Sequence, residues 1–468
     1  MLLDNAISWL DTALMAPSHI SGLLATTPEA DYASWVLAGV LLSLVVVYFA
    51  SKLGGELSKR LNLPPVLGEL VGGVVVGISA LHLLMFPENS AAATDSVIMT
   101  ALQWLGNLDS EAMVHIFQSQ SEVISVLAEL GVIVLLFEIG LESDLRELSK
   151  VGYQAAIVAV VGVAAPFLLG TVGLVSLFHV AVIPAIFAGA ALTATSIGIT
   201  SKVLSELGHL KSTEGQIIVG AAVIDDVLGI IILAVVASLA KTGDVDLMNV
   251  VYLIVSASGF LLGSVLLGKF FNKSFVAIAD KLQTRGALLI PAFTFALVMA
   301  FFANIIHLEA ILGAFAAGLV LDETDKRKEL DQQVMPIADI LVPIFFVTVG
   351  AKADLSVLNP AIAENRAGLI IATFLIAVAI VGKVVTGWAV FGQEGINRLA
   401  IGIGMIPRGE VGLVFAGIGT ASGVLDKPLE AAIIVMVILT TFLAPPLLQW
   451  SLRDQADPVL VEEAPVGP

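Results

Sequence analysis

Apolar runs about as long as a bilayer is thick recur along the chain, separated by charged and turn-forming residues. Thirteen are found, at about 34–52, 64–86, 122–141, 153–178, 182–205, 214–240, 247–268, 286–305, 308–321, 334–351, 367–391, 397–423 and 428–450. A helix needs about 20 apolar residues to cross the hydrocarbon core, so each run predicts a transmembrane helix, and the longer ones can tilt. The ninth is short. Between the second and third spans, the segment 86–120 carries acids but neither Lys nor Arg. Within it, Asp95–Leu105 reads as an amphipathic helix lying on the membrane surface.

Composition agrees with an all-α polytopic membrane protein. The 468 residues are 58% hydrophobic and 13% charged, with mean hydropathy +0.99, where a soluble domain carries about 25% charged residues. The absence of cysteine excludes disulfides, thiolate metal sites and cysteine nucleophiles, and the six histidines form no zinc-binding pattern. No Lys or Arg precedes Lys52, so a cleaved secretory leader is not expected. The net charge of −18 says less than where the bases lie. With thirteen spans and the N-terminus outside, sixteen of the 22 Lys and Arg residues fall in inner loops and four in outer ones. That asymmetry predicts an extracytoplasmic N-terminus and a cytoplasmic C-terminus.

The chain also repeats itself. Residues 135–145 echo 345–355, with Gly140, Asp144 and Leu145 matching Gly350, Asp354 and Leu355. Leu67–Gly73 echoes Leu312–Gly318, and Ile217–Val219 echoes Ile433–Val435. These matches pair spans two, three, five and six with nine, ten, twelve and thirteen. The offset of seven spans is odd, so the two copies enter the membrane in opposite directions.

Candidate chemistry sits at the centre of this repeat. Asp225 and Asp226 are adjacent in the middle of span six, whereas the mirrored position in span thirteen holds Thr440 and Thr441. Ionised groups at the midplane cost several kcal/mol, so carboxylates found there mark an ion or proton site. Spans five and twelve both contain polar breaks. One includes Thr193, Thr195 and Ser196, and the other includes Pro407, Arg408, Gly409 and Glu410. Broken helices at equivalent places free backbone carbonyls, and with the hydroxyls these suit a hard cation such as Na⁺. Lys383, central in span eleven, needs a carboxylate partner, and Asp225 is the best placed. Arg408 and Glu410 can pair or cap half-helix dipoles in an unwound stretch. Two adjacent carboxylates resist joint ionisation, so Na⁺ and H⁺ would compete for them, and competition yields exchange once the site faces alternate sides.

Val223-Ile-Asp-Asp-Val-Leu-Gly229, Thr193–Gly198, Phe137–Glu142, Gly382-Lys383 and Pro407–Glu410 together resemble the monovalent cation:proton antiporters, in particular the subfamily of Kef-type and bacterial Na⁺/H⁺ antiporters. The resemblance runs from about 34 to 450. It implies the sodium/proton antiporter fold, with core helices at about 153–240 and 367–450, scaffold and dimer helices at about 34–141 and 247–351, and elevator-type motion. It further implies electrogenic exchange, Na⁺ (or Li⁺) bound at Asp226, Asp225 paired with Lys383, and a homodimer. The expected partners are a monovalent cation, protons and the bilayer, with no cofactor, enzymatic activity or nucleic acid. The expected location is a bacterial inner membrane or an internal energy-transducing membrane such as a thylakoid. Residues 1–33 form an outer segment and 451–468 a short acidic cytoplasmic tail, expected to be disordered.

Kef-type K⁺ systems tend to carry Gln-Asp and a nucleotide-binding domain, neither of which is present here. Ligand-gated K⁺ efflux is therefore disfavoured, and K⁺/H⁺ exchange stands as the alternative within the fold. An intramembrane aspartyl protease would place its carboxylates on separate helices, and a solute symporter would not need the lysine.

Overall fold

The computed structural model describes residues 28–87, 91–242, 246–279, 281–361, 363–392 and 395–453. The segment 1–27 and the acidic tail from 454 lie outside the described residues. The regular elements are helical throughout: α1 (Pro28–Arg60), α2 (Pro65–Val76), α3 (Val97–Gly106), α4 (Ser110–Glu142), α5 (Leu145–Lys150), α6 (Gly152–Phe178), α7 (Val182–Ala191), α8 (Ile197–Glu206), α9 (Thr213–Thr242), α10 (Leu247–Ala279), α11 (Leu289–Ile305), α12 (Ala310–Asp322), α13 (Arg327–Ala351), α14 (Ala363–Val384), α15 (Arg398–Gly404), α16 (Glu410–Ala421) and α17 (Lys427–Leu452). Eight of them are long and apolar enough to cross a membrane. The shorter apolar α2, α11 and α12, with the broken pairs α7/α8 and α15/α16, supply the other five of the thirteen segments.

Span two is shorter than the hydrophobic run suggests. α2 ends at Val76, because Gly77 takes an extended conformation and the chain folds back, with Leu83 N and Leu84 N both donating to Val76 O. A Cβ on Gly77 would stand 2.4 Å from Ala351 Cα. The chain turns there against another helix, and hydropathy alone does not register a turn made of apolar residues. α3 forms where the amphipathic pattern lies. Ser96 caps it by accepting from Met99 N at 3.3 Å, Ile98, Met99 and Leu102 face inward, and Trp104 faces out.

The inverted repeat is visible as two equivalent backbone contacts. Gly73 meets Gly350, where a Cβ would come 2.9 Å from the partner Cα. Gly140 meets Gly318 at the same would-be distance of 2.9 Å. Exchanging the repeat partners, Gly73 with Gly318 and Gly140 with Gly350, turns one contact into the other. Asp144 and Asp354, also matched, each cap a short helix, accepting from Arg146 N and Ser356 N at 2.8 Å.

Helices α1, α2, α4, α12 and α13 pack as one set, and α6–α9 with α14–α17 as another. Polar links join the sets where α8 ends. Ser205 Oγ donates to Glu142 Oε2 at 3.0 Å, and Val66 N donates to Glu206 Oε2 at 3.3 Å.

Candidate functional site

The two broken helices cross, and each satisfies what the other leaves open. Ser196 N donates to Pro407 O at 2.8 Å, Thr195 Oγ1 to Met405 O at 3.1 Å, and Thr200 Oγ1 to Gly404 O at 2.9 Å. Pro407 and Gly409 stop α15 from continuing into α16, and the freed carbonyls turn inward, where protein rather than lipid must satisfy them. Arg408 does most of this. Fully buried, it donates from Nη2 to Leu192 O at 2.7 Å and from Nη1 to Met405 O and Ile406 O, each at 3.1 Å. Leu192 and Met405 are the C-caps of α7 and α15, so one guanidinium sits at the negative ends of both half-helix dipoles. Thr441 Oγ1, at the position that mirrors the aspartates, donates to Arg408 O at 2.5 Å and pins the break to α17.

α9 passes this crossing with both carboxylates buried. Lys383 Nζ, from α14, lies 2.9 Å from Asp225 Oδ2, and both side chains are 0% exposed. Gly162 makes room for the ammonium, since a Cβ there would stand 3.3 Å from Nζ. Asp225 Oδ1 has no hydrogen-bond partner among the described residues. The adjacent Asp226 is 5% exposed and points elsewhere, into a pocket of about 10 Å³ that it shares with Thr195, Ser196, Gly409 and Glu309. That is room for about one water-sized occupant. The pocket abuts the first residues of α8 and α16, and the positive ends of those helices favour a negative group. One carboxylate is therefore matched to a fixed ammonium, while its neighbour faces a space that fits an ion.

The structure brings Asp226, Thr195 and Ser196 onto one pocket and Asp225 onto Lys383. Thr193 is not on that pocket. Its hydroxyl donates to Ala190 O at 2.7 Å, closing the last turn of α7. Arg408 holds backbone carbonyls, and the side chain of Glu410 lies outside the described residues. Glu69 accepts from Ser51 Oγ at 2.9 Å, an interhelical bond away from the crossing. Three residues on or beside the pocket were not read as such from sequence. Thr200 is two residues past the motif, Phe345 is an apolar residue in an apolar span, and Glu309 stands at the start of the ninth run.

A second and larger cavity, of about 400 Å³, meets this pocket at Val132, Glu309, Ile311, Phe345 and Gly409. It is bounded by the middle of α4, the end of α11, the start of α12, the end of α13 and parts of α16 and α17. The glycine contacts put the ends of α2 and α13 side by side, and Gln120 Nε2 donates to Ser43 Oγ between α4 and α1. These contacts place the cavity mouth on the membrane face where α1 begins.

Inverted repeats, two crossing broken helices and a carboxylate pair on the helix beside the crossing define the fold of the sodium/proton antiporters. The chain belongs to the family described as "Sodium/hydrogen exchanger, transmembrane", whose profile matches residues 40–453. It is 63% identical over 444 residues to the high-affinity Na(+)/H(+) antiporter NhaS3 of Synechocystis sp., with 95% of each chain covered. It is 32% identical over 420 residues to the Na(+)/H(+)-K(+) antiporter GerN of Bacillus cereus, covering 88% of this chain and 97% of the other. Its structure is similar to that of the sodium proton antiporter MjNhaP1 from Methanocaldococcus jannaschii, with TM-score 0.57 and 16% identity, over 90% of this chain and 97% of that one. At that identity the likeness speaks for the fold alone.

Proposed function

We propose that the chain is a secondary transporter exchanging Na⁺, or Li⁺, for protons, with Asp226 as the group for which the two compete. The single observation that carries this is the unequal treatment of two neighbouring carboxylates. Asp225 is held by Lys383, and Asp226 opens onto a one-ion pocket with two hydroxyl-bearing residues. Na⁺ takes oxygen ligands of this kind, and the relative at 63% identity is named a high-affinity Na⁺/H⁺ antiporter. The name of the Bacillus cereus relative includes K⁺ and favours K⁺/H⁺ exchange as the second reading.

The charge arithmetic supports electrogenic exchange. Na⁺ entering at Asp226 displaces one proton. If it also draws Asp225 from Lys383, the ammonium releases a second proton, and two positive charges leave for each one that enters. Asp225 Oδ1, which makes no hydrogen bond among the described residues, is the atom available for that step. The set α6–α9 and α14–α17 carries the site and moves against α1, α2, α4 and α10–α13 in an elevator cycle. The polar links at Glu142 and Glu206 hold the face opposite the cavity closed. The biased distribution of Lys and Arg supports an outer N-terminus and a cytoplasmic C-terminus, and the membrane of this reading is a bacterial inner or internal energy-transducing one. Two copies form the working unit.

The test is reconstitution in proteoliposomes with an imposed pH gradient, a luminal pH dye and pulses of Na⁺, Li⁺ or K⁺. Proton movement driven by Na⁺ and Li⁺, and lost in Asp226→Asn, is the expected result. Flux driven by K⁺ alone would exchange the first reading for the second, and no cation-coupled flux would overturn both.

A further inference from the structure

The larger cavity is lined by both copies of the repeat, through Phe345, Thr348 and Lys352 on α13 and Glu129 and Val132 on α4. With Gly140 matched to Gly350, the repeat pairs Glu129 with Asp339, Glu138 with Thr348 and Glu142 with Lys352. Inverted repeats open to either side by exchanging the conformations of their two copies. A residue that lines the open cavity therefore has a partner that lines the opposite cavity once that side opens. Thr348 is 4% exposed, borders the cavity, and its Oγ1 has no hydrogen-bond partner among the described residues. Its partner Glu138 is 8% exposed and stands about 9 Å along α4 from Val132, which lines the Asp226 pocket. Oε2 of Glu138 is buried and has no hydrogen-bond partner among the described residues. A desolvated carboxylate oxygen without a donor is costly, so this conformation leaves Glu138 incomplete. The charges around it are Lys202 on α8, Glu142 on its own helix, and Asp331 and Asp339 on α13. Lys202 belongs to the helix set that carries Asp226, and Glu138 belongs to the other. A slide that brings Asp226 toward this face carries Lys202 past Glu138 and puts the pocket in its place.

We propose that Glu138 is a cation-binding carboxylate of the opposite cavity, meeting Na⁺ or Li⁺ between Asp226 and the face that is closed here. The inference rests on the exchange and elevator readings, and it names a residue that acts at one face only. Glu129 and Asp339 give the two mouths the same charge. The deeper pair differs, a hydroxyl on the cavity side and a carboxylate on the other, so the two faces draw cations unequally.

The chain has no cysteine, so single cysteines report access directly. In membrane vesicles of defined orientation, Thr348→Cys should react with a membrane-impermeant maleimide only from the cavity face. Glu138→Cys should react only from the opposite face. Transport is then compared in wild type, Glu138→Gln and Glu138→Asp, with Na⁺ presented to one face at a time. For Glu138→Gln, the apparent KM for Na⁺ at the opposite face rises by roughly tenfold, KM at the cavity face changes less than about twofold, and Glu138→Asp stays near wild type. An unchanged KM at the opposite face, or an equal rise at both faces, overturns the proposal while the wild type still exchanges. Glu138→Cys that reacts from the cavity face, or from neither, overturns it even if exchange itself is never observed.

Discussion

Replacing Lys383 by Met removes the cation from a pair in which neither side chain reaches solvent. The carboxylate of Asp225 then keeps no partner for Oδ2, and Oδ1 had none among the described residues to begin with. Removing one member of a buried ion pair costs about 3–5 kcal/mol, because the remaining charge is left desolvated. With an unfolding entropy of about 2.1 cal/mol/K per residue, a chain of 468 residues loses about 1 °C of melting temperature for each kcal/mol. Lys383→Met should therefore melt about 3–5 °C below wild type. Asp225→Asn combined with Lys383→Met leaves no charge to solvate and should recover most of that loss. Thermal unfolding of detergent-purified protein, followed through its five tryptophans, reads both. A loss below about 1 °C in the single variant, or a double variant as unstable as the sum of the two singles, would refute a pair in which each charge exists to balance the other.

Other perturbations separate the backbone from the ion. Thr195→Val removes one of the two side-chain donors to Met405 O, leaving Arg408, and should cost about 1 kcal/mol, read as a melting shift of about 1 °C, and should weaken Na⁺ binding measured by titration calorimetry. Gly140→Ala and Gly318→Ala each place a Cβ 2.4 Å from a carbonyl oxygen across the repeat contact, and each should cost about 1–3 kcal/mol, with lower yields of folded protein on size exclusion. Asp226→Asn should abolish Na⁺-driven proton flux with little change in melting temperature, since it removes the charge facing the pocket and leaves the Asp225–Lys383 pair intact.

Much of this was legible in the residues because the bilayer makes charge placement expensive. Asp225, Asp226, Lys383 and Arg408 stand out in an apolar background, and the Asp225–Lys383 contact follows from needing to neutralise both. The repeat was readable from a handful of glycines, because backbones that touch tolerate no Cβ. Pattern alone did not separate hydroxyls that line the pocket from those that satisfy carbonyls. Thr193 and Thr195 are two residues apart, yet only Thr195 lines the pocket, because the chain is no longer helical between α7 and α8. Nor did it locate the junction of the two cavities, where Glu309 is marked in the sequence only by standing at the start of the ninth run.

Competition at Asp226 is the claim on which the account depends, and equilibrium Na⁺ binding to purified protein across a pH series measures it most directly. The dissociation constant should rise tenfold for each unit of falling pH if one proton is displaced, and a hundredfold if Lys383 releases a second. Binding should vanish in Asp226→Asn. Na⁺ affinity that does not change with pH, or that survives in Asp226→Asn, would contradict the account.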